Sequence, residues 1–150
     1  MKTKSGPALA AAITLALLSA CATRERPAAA SPADFTVQTI NNGTAVKITG
    51  FTGGTTDLRI PPRLEGLPVT AIGPSAFARR QLTSVRIPDT VTHIGATAFL
   101  QNRLGEVRIP PGVVYIGSSA FARNDIDMVR IPPGAYISAS AFDARVLVAE

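Results

Sequence analysis

The sequence predicts a short β-rich solenoid in which coils of about 22 residues stack in one direction. Each coil supplies one short parallel strand, and a β-hairpin covers the first coil. Three observations carry this. Ile72-Gly73-Pro74-Ser75-Ala76-Phe77 recurs at Ile94–Phe99, Ile116–Phe121 and Ile137–Phe142, and the phenylalanines are 22, 22 and 21 residues apart. Between them Val85-Arg86-Ile87-Pro88 recurs as Val107–Pro110 and Val129–Pro132. Ahead of the repeats, Asn41-Asn42-Gly43 separates two segments of alternating polarity, and Asn-Gly favours the positive φ angles of a tight hairpin.

The chain opens on a different kind of segment. Met1-Lys2-Thr3-Lys4 is basic, and Ala8 to Ala20 is a 13-residue uncharged run. That is the layout of a secretory signal over residues 1–20, too short to span a bilayer comfortably. It ends in Leu18-Ser19-Ala20-Cys21, which resembles a bacterial lipobox. The resemblance implies cleavage before Cys21 and lipidation of its sulfur. The alternative is an ordinary signal cut after Ala20, with Cys21 unmodified. Two or more acyl chains hold a protein on a membrane, whereas one binds marginally. Ala22 is not the Asp that retains lipoproteins at the inner membrane, so the implied destination is the outer membrane, at the cell surface or on the periplasmic face. Cys21 is the only cysteine, so no intramolecular disulfide is available.

Residues 22–34 have almost no large apolar side chains and read, with Cys21, as a lipidated flexible tether. Residues 35–150 form the repeat domain. Phe35–Ile40 and Val46–Thr49 alternate as the strands of a capping hairpin over residues 35–50, needed because a terminal coil has no neighbour. Residues 51–150 are the coils. Strand alternation points Val85 and Ile87 inward and Arg86 outward, and likewise in the other coils. Proline then ends each strand. Leu82, Leu104 and Ile126 are expected inside. Phe77, Phe99, Phe121 and Phe142 are expected to stack as a spine beside Ala76, Ala98, Ala120 and Ala141. Gly73, Gly95 and Gly117 mark a bend before the Ala-Phe turn, read as a single helical or 3₁₀ turn. A second extended column is expected near Val69, Val91 and Val113. In the shortened last coil, Val146 and Val148 are expected inward, with Leu147 at the arginine position. That apolar edge strand is expected to support weak self-association.

The phrase Ile-Gly-x-x-Ala-Phe, a short polar run, then Leu-x-x-Val-x-Ile-Pro resembles the BspA-like leucine-rich repeats of bacterial surface proteins. The resemblance covers about residues 35–150 and includes an entry phrase from Leu58 to Gly73. It implies a leucine-rich-repeat solenoid and adhesion to host or matrix proteins or to other cells. The family often has Cys or Asn three residues after the phenylalanine. Here those positions hold Arg80, Asn102 and Asn124, so an inner polar ladder lacks its first rung.

Catalysis finds little support. His93 is the only histidine; Asp89 precedes it by four residues, and Ser118 and Ser119 belong to the next coil. Ser119 repeats a turn position also held by Ser75, Thr97 and Ser140, which favours turn hydrogen bonding over a triad. Asn124-Asp125-Ile126-Asp127 lacks the rest of a calcium loop, and no metal or cofactor is expected. Without Lys2 and Lys4, 13 Lys and Arg face 10 Asp and Glu, a net +3 that is too weak to argue for nucleic acid. Two outward columns remain as candidate ligand contacts. Arg59, Arg86, Arg108 and Arg130 suit an anionic glycan or an acidic protein surface. Ala71, His93, Tyr115 and Tyr136 form a stripe suited to sugars or a protein partner. Both columns also read as plain solvated or stem-covering faces. The expected function is a non-enzymatic, lipid-anchored envelope protein that binds or adheres through its repeat surface. The alternative is a periplasm-facing structural lipoprotein that holds peptidoglycan or a partner protein.

Overall fold

The computed structural model describes residues 30–149. Cys21 and the signal segment lie outside the described residues. The domain begins before the hairpin. Ser31 caps a single 3₁₀ turn, Pro32–Asp34, and the Asp34 carboxylate accepts from the Ser31 N–H at 2.8 Å. Ala30 packs against the core, and the Asp34 carbonyl accepts from Thr52 N. Residues 30–34 are therefore folded onto the domain.

Strands β1 (Phe35–Ile40) and β2 (Ala45–Phe51) form the antiparallel hairpin. Asn41, Asn42 and Gly43 all have positive φ, as the turn requires. Next come β3 (Asp57–Arg59), β4 (Arg63–Leu64), β5 (Leu67–Ile72), β6 (Ser84–Arg86) and β7 (His93–Ile94). They are followed by β8 (Val107–Arg108), β9 (Tyr115–Ile116), β10 (Met128–Arg130), β11 (Tyr136–Ile137) and β12 (Leu147–Ala149). The chain winds between two sheets. One runs β1-β2-β5-β7-β9-β11, with β4 beside β5, and the other runs β3-β6-β8-β10-β12. From β5 and β3 onward the coils add parallel strands in each sheet. The second extended column is thus a full sheet. Its strands begin at His93 and Tyr115, two residues beyond buried Val91 and Val113.

The buried side chains form one continuous cluster. Its spine is the phenylalanine column, with ring centroids 5.1, 5.1 and 5.2 Å apart and nearly parallel planes from Phe77 to Phe142. The hairpin extends this spine. Phe51 lies 5.6 Å from Phe77 and 5.1 Å from Phe35, so two further rings close the N-terminal end. The glycine column has a steric cause. A Cβ at Gly95 or Gly117 would lie 2.8 or 2.6 Å from backbone of the preceding coil, so only glycine lets the coils approach this closely.

The Ala-Phe turn departs from the expected helical turn. Ser75, Thr97 and Ser119 are left-handed, and alternate N–H groups donate to the next coil instead, as in Phe77 N to Ala98 O at 2.8 Å. The polar ladder beside it has two rungs. Asn102 accepts from Arg80 N and Leu82 N and donates to the Phe77 and Phe99 carbonyls, while Asn124 repeats most of this one coil on. Arg80 is exposed and supplies no rung. The last coil also corrects the sequence reading. Leu147 pairs with Met128, Val148 with Val129 and Ala149 with Arg130, so Ala149 holds the arginine position. The register is pinned by Leu147 N donating to Asp127 O at 2.9 Å.

Candidate functional site

Each sheet presents one outward side chain per coil in register, and these columns are the candidate surfaces. On the sheet built from β3, β6, β8 and β10, alternation buries Leu58, Val85, Val107 and Val129 and turns Arg59, Arg86, Arg108 and Arg130 to solvent. Arg59 sits opposite Arg86, and Arg108 opposite Arg130. Adjacent strands are about 4.8 Å apart. Like charges at that separation repel by about 1 kcal/mol per pair in water, less in salt.

Asp57 and Glu106, two residues before Arg59 and Arg108 on the same face, form no ion pair with the column. Asp57 instead accepts a hydrogen bond from the Ser84 hydroxyl. Arg145–Asp125 at 4.0 Å is the only ion pair among the described residues. Arg59, Arg86 and Arg108 line an open groove of about 440 Å³. Its walls are completed by Ile60, Ile87, Pro62 and Pro88, with Asp89 contributing the one acid. Arg130 lies beyond the groove in the same column.

On the other sheet Ala71, His93, Tyr115 and Tyr136 stand in register, with Lys47 opposite Ala71 at the hairpin end. The Tyr115 and Tyr136 rings stack at 5.6 Å with planes 7° apart, and His93 leans on Tyr115 at 6.1 Å. Tyr136 is 64% exposed. His93 Nδ1 lies 2.9 Å from Thr92 Oγ1. No hydrogen bond among the described residues joins His93 to Asp89, Ser118 or Ser119, so the structure assembles no triad. Nor do any three His, Cys, Asp or Glu among the described residues cluster as a metal site. Asn124, from the acidic run, is buried in the polar ladder.

A further feature escaped sequence reasoning. The exposed large hydrophobic side chains among the described residues are Val114, Tyr115, Met128, Tyr136, Leu147 and Val148. None lies before residue 114. The signal was a break in column chemistry. Val114 follows Thr70 and Thr92, and Met128 follows Asp57, Ser84 and Glu106.

Comparisons agree with this architecture. A crystal structure of a leucine-rich repeat protein from Bacteroides capillosus is 26% identical, matches over 77% of this chain and 93% of its own, and has a TM-score of 0.69. The Treponema pallidum leucine-rich repeat protein is 17% identical, with 79% and 69% covered and a TM-score of 0.60. A leucine-rich cell surface protein from Faecalibacterium prausnitzii is 23% identical, with 83% and 44% covered and a TM-score of 0.57. At these last two identities the likeness is one of fold. No curated protein matches the sequence. The model of the BspA type leucine-rich repeat region matches residues 56–147 in six copies. The repeats counted from the sequence, the stacked coils and this match agree: the chain belongs to the BspA-type leucine-rich repeat family, which suggests a protein-binding surface module.

Proposed function

We propose that the protein is a lipid-anchored module of the cell envelope that binds a partner protein through its C-terminal coils, in the manner of an adhesin. The observation that carries this reading is that, among the described residues, the exposed large hydrophobic side chains all lie within residues 114–148. Single exposed apolar residues need no explanation, but neighbouring ones mark interaction sites. Here Tyr115 stacks on Tyr136, and Met128 lies beside Leu147 across the strand pair. Aromatic side chains are favoured interface anchors because they bury much area at little entropic cost.

The lipobox-like register of Cys21 supports the anchor. Acylation at Cys21 would tether the domain from its N-terminal side, the side away from the apolar coils. An anchored solenoid of this kind needs no cofactor, because its chemistry is contact rather than catalysis.

The test uses immobilised extracellular-matrix proteins and the full chain in neutral detergent, as wild type and as Tyr115→Ser/Tyr136→Ser. One modest hot spot is worth about 1.4 kcal/mol, so binding should fall about tenfold or more. Equal binding by both proteins would contradict the assignment. Protease treatment of intact cells decides the side of the membrane. Cleavage of the domain supports surface display, and protection places it on the periplasmic face.

A further inference from the structure

The basic groove is lined by Arg59, Arg86 and Arg108, on the sheet opposite the Tyr115–Tyr136 stack and before Met128 and Leu147, and its chemistry differs. We infer that Arg59, Arg86, Arg108 and Arg130 form a second site, which takes a polyanionic polysaccharide bearing sulfate or uronate groups. The arginines are aligned by strand pairing rather than by chance approach, since Arg59 opposes Arg86 and Arg108 opposes Arg130. Three of them line one groove of about 440 Å³. No carboxylate among the described residues lies within 4.0 Å of them. A bound polymer therefore supplies the counter-charge that the fold does not. Asp89 in the groove wall leaves a clear positive excess there.

The site favours a polysaccharide over an acidic protein for two reasons. Around the groove of Arg59, Arg86 and Arg108 no large hydrophobic side chain before residue 114 is exposed among the described residues, so a protein ligand would find no apolar anchor there. The arginines also stand on a sheet face, where backbone groups are already paired, so an extended peptide cannot add to the sheet through main-chain bonds. A polyanion needs neither. Planar guanidinium forks bind sulfate and carboxylate oxygens two at a time. Strand spacing sets the four positions along a line spanning about 14 Å, enough to hold successive charged groups of one chain.

The experiment is salt elution of the full chain, in neutral detergent, from heparin resin and from immobilised polygalacturonate. The first offers sulfate and the second carboxylate alone. Wild type should be retained beyond physiological ionic strength on at least one resin. Arg86→Ser/Arg108→Ser should be released before it. Lys47→Ser/Arg123→Ser, which removes the same charge elsewhere, should elute with wild type. Thermal unfolding should show Arg86→Ser/Arg108→Ser at least as stable as wild type, because repulsion is relieved, so that lost retention is not lost folding. Soluble polyglutamate should compete poorly. The inference is overturned if wild type is not retained on either resin, or if the two double variants elute together. It is also overturned if polyglutamate competes as well as free heparin, which would make the site one for acidic protein.

Discussion

The two ends of the described solenoid differ in how their apolar coil surfaces are covered. At the N-terminal end the hairpin lays β2 against β5 and sets Phe51 and Phe35 over the end of the phenylalanine column. Phe77 is fully buried as a result. At the other end of the described chain, Phe142 is stacked on one side by Phe121 and remains 9% exposed, while Val148, inward by register, is 51% exposed. Their outer surfaces differ in the same sense. The arginine-lined groove lies on the earlier coils, whereas the exposed large hydrophobic side chains among the described residues lie at residues 114–148. In a stack where each coil touches only its neighbours, local stability and surface chemistry can differ from coil to coil.

The largest expected effect lies in the spine. Phe99→Ala removes a ring stacked on both sides and should cost about 3–5 kcal/mol. Phe51→Ala should cost nearly as much, because it opens the cap. Phe142→Ala should cost clearly less, because fraying there is already easy. Denaturant titration of the three variants checks this order, and equal losses at Phe99 and Phe142 would break the comparison.

Next is the polar ladder. Asn102→Ala leaves the Phe77 carbonyl and the Arg80 and Leu82 N–H groups without a partner, while the Phe99 carbonyl keeps its bond from Asn124. Each buried unpaired group costs about 1–3 kcal/mol, so a total of about 2–4 kcal/mol is expected after partial relaxation. Arg145 stands at the corresponding place in the last coil and donates to the Asn124 carbonyl from a largely exposed position. Arg145→Ala should cost about 1 kcal/mol or less by the same measurement.

The effect of coil spacing is smaller than that of Asn102. Gly95→Ala forces a methyl group into the preceding coil and should destabilise by about 1–3 kcal/mol. Gly105→Ala meets open space and should stay within about 0.5 kcal/mol of wild type in thermal unfolding. The smallest effect is on association. Strand β12 is expected to support weak self-association, measurable by sedimentation at high concentration, and Leu147→Lys, which places charge on it, should reduce that association while leaving stability unchanged.

Features that repeat at a fixed period were legible in the sequence. The spine, the buried aliphatics, the arginine register and the aromatic stripe all follow from one coil copied onto the next. What broke the period was not. Phe51 precedes Phe77 by 26 residues, so its place in the spine depends on how the hairpin folds back. The last coil reaches its strand in fewer residues after Phe142 than earlier coils do after Phe99 or Phe121. The Asp127 carbonyl fixes a register that hydrophobic alternation alone placed differently. The left-handed turns arise because N–H groups find acceptors in the neighbouring coil, a long-range pairing that local propensity does not encode. The groove beside the arginines is likewise a product of stacking, since its walls come from successive coils.

The asymmetry between the ends is tested most directly by residue-resolved amide hydrogen exchange on the full chain in neutral detergent. The structure predicts that Val46 and Ile48 in the hairpin are protected nearly as well as Ile94 and Ile116 in the middle coils. Ile137 and Val148 should exchange far faster, through local opening that leaves the rest of the stack intact. Equal exchange at both ends, or a hairpin that exchanges faster than β11 and β12, would contradict a solenoid closed at its N-terminal end and open toward its last coil.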